Sequence, residues 1–370
     1  MFHNTALIIA NSVYQLLTAI HIKNALLPGQ EADILVTDAT PALQSYLPRL
    51  RETGLFHRVI RGQTAEINRQ YGAKIEEINE AFQNAGSLLR WALSDELAEY
   101  AQVYFANFDL FTRMLAARLG ENCAFTGFED GFSSYVINFL REDRAPVNRH
   151  PDGIKIKEKL HKMLLYEPRL AMRGDGLPNL PLPKIPRRDP GLRELYNYVF
   201  DYKPLQEGAD FIFLEQSFAA DGIKSNDLDL MKECQQAVGP GRFLVKPHPR
   251  NPENRPFALG LSRKYASAAP WELTLMNEDV QNKTLITVCS NAALTGRIVF
   301  GLDLNTVMLY RLFQGKVLWK EDAVLWRYLL KFRRQFAGSN YYVPQTVYEL
   351  RNILHYLGGE GRHEPTCSTC

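Results

Sequence analysis

The sequence predicts an α/β protein of two domains, each built on a parallel sheet covered on both faces by helices. Three observations carry that expectation. At 370 residues the chain exceeds one ordinary core and suits two. Short apolar runs alternate with helix-period stretches in both halves, which is the pattern of parallel sheets. A basic, proline-rich segment of linker character separates the halves.

The first half, residues 1–150, opens with the apolar run Ala6–Ala10 as a strand and Gln15–Leu26 as a helix. The alternation continues with a strand at Ala32–Thr37, a helix at Pro41–Arg51, a strand at His57–Ile60 and a long amphipathic helix at Ile75–Ser94. Val103–Ala106, a helix at Phe108–Leu119 and Cys123–Thr126 complete it. Composition then shifts between Arg144 and Pro190, where prolines stand at 168, 178, 181, 183, 186 and 190 and basic residues crowd Lys155–Lys162. Residues 151–205 therefore read as a linker holding a basic amphipathic helix at Ile154–Leu165. A solvated basic face is the preferred reading of that helix, and peripheral contact with an anionic inner-membrane surface the sharper one. The second half, 206–370, has strands at Phe211–Leu214, Arg242–Lys246 and Leu285–Cys289. Its helices are expected at Leu228–Val238, from Trp271 to Met276, near Glu321–Phe336 and at Thr346–Leu357.

Composition narrows the function classes. With 43 basic and 41 acidic residues the net charge is +2, so no global field draws nucleic acid. The amino terminus has no basic region ahead of an apolar core, and no window approaches the roughly 18 apolar residues of a membrane span, so a cytoplasmic protein is expected. Five cysteines, at 123, 234, 289, 367 and 370, have neither disulfide-framework nor closed zinc spacing, and reduced thiols are expected. Cys367 and Cys370 have redox-motif spacing but sit on a polar tail with no βα unit to lower a thiol pKa.

In two-domain α/β proteins the informative residues stand just after strands. Glu129-Asp130-Gly131 follows the strand ending at Thr126, and adjacent carboxylates raise one another's pKa, which suits one of them to accept a hydroxyl proton. Lys246-Pro247-His248-Pro249-Arg250 follows a strand and displays a histidine between two prolines, with Lys246 and Arg250 as phosphate-binding cations. A nearby anion would keep that imidazole, ordinarily titrating near about 6.5, protonated as an acid. Ser290-Asn291 ends a strand and opens a helix, where hydroxyls and free N–H groups serve an anion or simply cap the helix. Glu272, in the first turn of a helix opened by Pro270, favours the helix dipole or accepts from ribose hydroxyls. Asp227-Leu-Asp229 has the letters of a metal-binding Asp-x-Asp, but at a helix start capping explains it. The segment after the first strand, Asn11-Ser-Val-Tyr, has no glycine, which argues against a nicotinamide-binding loop.

Taken in order, Glu129-Asp130-Gly131, His248-Pro249 and Ser290-Asn291 resemble the motifs of the bacterial sialyltransferases. The likeness is greatest to glycosyltransferase family 52, the lipooligosaccharide sialyltransferases, with the capsule-building polysialyltransferases a second relative. Ser12-Val-Tyr14-Gln15 is similar to that group's first strand-to-helix loop and would stand on the acceptor side. The resemblance implies a GT-B fold of two Rossmann-like domains facing a cleft, and an inverting, metal-independent transfer from a CMP-sugar with no further cofactor. It also implies the roles: His248 protonates the departing phosphate, Ser290 holds it, Glu272 holds the ribose, and a carboxylate is the base. Glu129 ranks first for that base, and Asp221, in the segment Glu215–Asp221, is the alternative. A UDP- or GDP-sugar transferase and a non-catalytic glycan- or nucleotide-binding protein are the rival readings. The expected partners are a nucleotide sugar and an oligosaccharide acceptor, with a second copy of the chain a further candidate and no nucleic acid.

Overall fold

The computed structural model describes residues 5–143, 145–204, 209–251, 254–265, 269–316, 322–336, 338 and 340–359. Glu321, Cys367 and Cys370, all named above, lie outside them. The chain divides into two compact units, Met1–Asp201 and Tyr202–Cys370.

In the first unit seven parallel strands form one sheet: β1 Ala6–Ala10, β2 Ala32–Thr37, β3 Val59–Gly62, β4 Gln102–Phe105, β5 Ala124–Phe128, β6 Leu160–Leu165 and β7 Asn179–Pro181. Their order is β3-β2-β1-β4-β5-β6-β7. The chain winds outward from β1 to β3, returns to β4 on the other side and winds outward again. The gap between β1 and β4, where the connections part to opposite faces, is thus the switch point. Every residue of β1 and β2 is buried, as expected of strands covered on both faces, and this is why β1 reads as an unbroken apolar run.

The second unit repeats the principle with β8 Phe211–Leu214, β9 Phe243–Lys246, β10 Thr284–Thr287, β11 Asn305–Met308 and β12 Tyr341–Tyr342, all parallel, in the order β12-β11-β10-β8-β9. Its switch point lies between β8 and β10. Because the pairing is parallel, the loops after Leu214, Lys246 and Thr287 all leave one edge of the sheet.

Several local expectations need correction. The long helix at Ile75–Ser94 is two helices, Ile75–Gln83 and Ala85–Ala92, divided at Asn84. A helix at Ala65–Tyr71 and the strands β11 and β12 were not anticipated. The largest correction concerns 151–205. Residues 151–201 belong to the first unit, which ends at Asp201. The basic helix spans Pro151–Lys159, and Leu160–Leu165, read as its continuation, is strand β6, paired to β5 and β7. Helix Pro190–Val199 follows, capped by the Asp189 side chain.

Helix Pro151–Lys159 is fixed by close contacts. Its Gly153 carbonyl accepts from Arg113 at 3.0 Å, and Arg113, 1 % exposed, also donates to the carbonyls of Phe108 and Phe139. Lys159 Nζ donates to the carbonyls of Leu119 and Gly120, and Lys155 pairs with Asp152 at 2.7 Å. Lys159 is therefore engaged within the fold, while Lys155 stays in an exposed pair on the helix's own surface. Among the described residues no helix is long and apolar enough to cross a membrane.

At Gly153 a Cβ would meet the Val147 carbonyl oxygen at 2.0 Å, a backbone atom with no freedom to yield. Gly153→Ala is therefore expected to destabilise the first unit by about 1–3 kcal/mol or more, read from urea unfolding. An unchanged midpoint would mean that the segment is a linker after all.

Candidate functional site

The chemistry-bearing residues gather at the carboxyl edge of each sheet. In the first unit β1 delivers Asn11 and Ser12, β4 delivers Asn107 and β5 delivers Glu129 and Asp130. Ser12 caps helix Val13–Leu26 by accepting the Gln15 N–H at 3.1 Å. That turn points Gln15 back under the sheet edge, where it is 1 % exposed. Gln15 Oε1 accepts the Asn11 N–H at 2.9 Å, which fixes the amide so that its nitrogen donates to Asn107 Oδ1 at 2.7 Å. The Asn11 side chain in turn accepts from Thr37 Oγ1 at 2.7 Å, tying in the end of β2.

The two adjacent carboxyls differ sharply. Glu129, expected to face outward, is 0 % exposed and accepts from the Tyr135 hydroxyl, the Tyr166 N–H at 2.9 Å and the Tyr14 hydroxyl at 3.2 Å. Loss of water pushes its pKa up to about 7 against the pull of those donors. Asp130 is partly buried, with the Gln15 and Ser12 side chains lowering its pKa. Desolvation outweighs them and pushes it up to about 6. Gly131, at φ 74°, makes the turn that lets the chain leave the strand here, in a conformation that favours glycine. The first-unit edge thus offers a carboxyl held by neutral donors.

In the second unit the loops after β8, β9 and β10 are stitched together. Glu215, 4 % exposed, accepts the His248 N–H at 2.8 Å, and Gln216 bridges two loops. Its carbonyl accepts from Asn251 Nδ2 at 3.2 Å, and its side-chain oxygen accepts the Cys289 N–H at 2.8 Å. Ser290 and Asn291 follow directly, half-exposed at the start of helix Ala292–Phe300. Ser290 Oγ accepts the Ala292 N–H at 3.3 Å, and Asn291 Oδ1 accepts from Tyr328 at 3.4 Å.

His248 is half-buried, and its Nδ1 accepts the Arg250 N–H at 3.2 Å. The neutral ring therefore carries its proton on Nε2. In the protein alone burial and the surrounding cations govern this imidazole. Burial, then Arg250, then Lys246 push its pKa down to about 4, with Asp221 opposing weakly. Asp221 is held by Arg250 at 3.2 Å and by the Ser217 hydroxyl at 2.7 Å. Lys246 lies 5.4 Å over the Tyr265 ring, and burial lowers its pKa while Glu272 raises it. Glu272 is itself 7 % exposed, with its pKa raised chiefly by burial. Pro249 is exposed beside the imidazole.

The sequence-predicted residues thus form two groups: Ser12, Tyr14, Gln15, Glu129 and Asp130 in the first unit, and Asp221, Lys246, His248, Pro249, Arg250, Glu272, Ser290 and Asn291 in the second. Asn107 and Gln216 were missed. Both stand two residues beyond a strand, and that position was the available signal.

No protein-family model and no curated protein matches the chain. Solved structures do. The glycotransferase of kitacinnamycin aligns with a TM-score of 0.55 at 10 % identity, over 97 % of this chain and 91 % of its own. LpCGTa in complex with UDP aligns at 0.50 and 11 % identity, over 98 % and 90 %. An alpha/beta-galactoside alpha-2,3-sialyltransferase from the luminous marine bacterium Photobacterium phosphoreum aligns at 0.49 and 9 % identity, over 93 % and 99 %. At these identities the first two likenesses speak for architecture alone. The chain has the two-unit α/β fold of the GT-B glycosyltransferases.

Proposed function

We propose that the protein is an inverting glycosyltransferase that moves sialic acid from its CMP conjugate to a surface glycan. The observation that carries the reading is His248, half-buried between Lys246 and Arg250 with Nδ1 capped and Nε2–H left to donate. Such a group is neutral alone and becomes an acid when a phosphate enters, because an anion reverses the field that depresses it. The motif resemblance names the CMP donor, and the first-unit edge supplies the base.

Asp130, rather than Glu129 or Asp221, fits that base. Glu129 has no exposed surface and all its neighbours are donors, so it anchors the Tyr14, Tyr135 and Tyr166 segments. Asp221 is engaged by an arginine, which weakens a base. Asp130 keeps some exposed surface, has no cation among the causes that set its pKa, and is pushed by burial up to about 6. In the proposed step Asp130 takes the proton of an acceptor hydroxyl as its oxygen bonds to the anomeric carbon. The bond from that carbon to the phosphate oxygen breaks, and His248 Nε2 protonates the departing CMP. Lys246, Arg250 and Ser290 hold the phosphate, so the transfer needs no metal. The rival reading, a UDP-sugar donor, draws on the LpCGTa likeness, since that protein was solved with UDP.

Release of sialic acid from its CMP conjugate, unaffected by excess EDTA and absent in His248→Ala, is the expected result. Release only from UDP- or GDP-sugars would replace the donor, and loss of rate in EDTA would exclude the metal-free route.

Asp130→Asn should cut turnover by ~10²–10⁴ while CMP affinity holds, since general-base catalysis is worth about that much. Near-normal turnover in Asp130→Asn with none in Asp221→Asn would put the base in the second unit.

Glu129 makes a separate prediction about stability. Its folded pKa of about 7 lies above the ordinary 4.5, so the native state binds more protons between those values. The resulting stabilisation is fully present below pH 4.5 and is lost as pH rises through about 7. The unfolding free energy of wild type should therefore fall by about 3 kcal/mol more across that window than that of Glu129→Gln. Parallel curves would contradict the assignment.

A further inference from the structure

Arg311 belongs to no motif, yet it stands at the same sheet edge as the serine loop. Strand β11 pairs in parallel with β10, Thr287 opposite Met308, so the chain leaves the two strands side by side. Thr287 knits the exits together: its carbonyl accepts the Leu309 N–H at 2.8 Å, and its hydroxyl oxygen accepts the Ser290 N–H at 3.2 Å. The Leu312 and Phe313 N–H groups then close back on the Leu309 carbonyl at 2.8 and 3.0 Å, which makes Tyr310 and Arg311 the corner of a tight turn. Helix Asp322–Phe336 touches both exits. Its Tyr328 donates to Asn291 at 3.4 Å, and two residues earlier Trp326 stacks on Arg311.

The Arg311 guanidinium carbon lies 3.7 Å from the centre of the Trp326 ring, in full van der Waals contact, and the Tyr310 ring meets the same indole edge to face at 4.7 Å. The stack fixes the guanidinium and occupies one of its faces, while its N–H groups point outward in the plane. Arg242, Arg250, Arg297 and Arg351 of the same unit are each paired with a carboxylate. Among the described residues no carboxylate or carbonyl engages the exposed Arg311 guanidinium. A preoriented planar fork without a counter-ion suits an oxyanion bound through two parallel hydrogen bonds.

We propose that Arg311 takes the carboxylate of the donor sugar and thereby selects an acidic sugar over a neutral one. This deepens the sialic acid reading and rests on it. In that donor the anomeric carbon carries both the phosphate oxygen and a carboxylate, so two anions lie a few bonds apart. The second sheet edge offers two anion positions on adjacent strand exits: the proposed phosphate position at Ser290 and the free fork at Arg311. A neutral sugar would leave the second one empty. Trp326 acts through Arg311, as the positioning residue that holds the fork in its plane.

The test is calorimetric titration of the full-length protein with CMP, with the 3-fluoro analogue of CMP-sialic acid, whose fluorine slows loss of the phosphate, and with UMP and UDP. Arg311→Met keeps an apolar stem on Trp326 and removes the charge. It should weaken the analogue about 10–100-fold, the order of a charge-assisted pair of hydrogen bonds, and leave CMP affinity unchanged. Arg311→Lys should recover part of that loss, because it restores the charge without the fork. Unchanged CMP affinity also shows that the second unit of each variant is folded. Analogue binding indifferent to Arg311→Met would overturn the carboxylate site and leave the donor reading standing. A parallel loss of CMP and analogue would overturn it too, since Arg311 would then serve the phosphate or the fold. Binding of UDP but of neither CMP nor the analogue would sink the donor reading; if Arg311→Met then weakened UDP and spared UMP, the fork would hold a second phosphate and the carboxylate would be excluded.

Discussion

The loops at each sheet's switch point are tied together by one glutamine, Gln15, which is buried, in the first unit and Gln216, partly buried, in the second. Where the connections of a parallel sheet part to opposite faces, the strand ends leave main-chain groups without a helix to cover them. Gln15 answers this in the first unit by taking the Asn11 N–H and donating across to Asn107. Gln216 does so in the second, taking the Cys289 N–H and receiving Asn251 on its own carbonyl. A primary amide suits the task because it donates and accepts without charge, so it joins two loops and adds no field of its own. The loops that carry Asp130 on one sheet and His248 and Ser290 on the other take their positions from these two residues.

The electrostatics of the two edges are opposite, and burial sets both. On the first, carboxyls are desolvated among neutral donors, so Glu129 and Asp130 titrate upward to about 7 and about 6. On the second, cations crowd a half-buried imidazole and drive it down to about 4. Environments that push titratable groups apart in this way assign acid and base roles within one protein. Here each depends on its ligand: the imidazole needs an anion to become an acid, and the carboxyl needs a hydroxyl to become a base.

The architecture was legible because buried parallel strands are short and apolar, and β1, β2 and β8 were read almost residue for residue. Strand β6 was not, since Leu160-His-Lys-Met-Leu-Leu continues the spacing of the helix before it, and only its pairing to β5 and β7 separates the two. The His-Pro and serine loops were visible through charge and rigidity. Which of Glu129 and Asp130 is buried was not, because the strand ends at Phe128 and period-two alternation lapses there. Asn107 and Gln216 were invisible for another reason: an amide carries no charge, and its role exists only through partners 92 and 73 residues away.

The central claim is that a phosphate-bearing ligand charges His248 at the carboxyl edge of the second sheet. Calorimetric titration of CMP near pH 6, repeated in buffers of different ionisation enthalpy, measures this through the protons taken up on binding. An imidazole that rises from about 4 toward or above its ordinary 6.5 should take up a substantial fraction of a proton, and His248→Ala should abolish the uptake. CMP binding with no buffer dependence, or an uptake that persists in His248→Ala, would contradict the account.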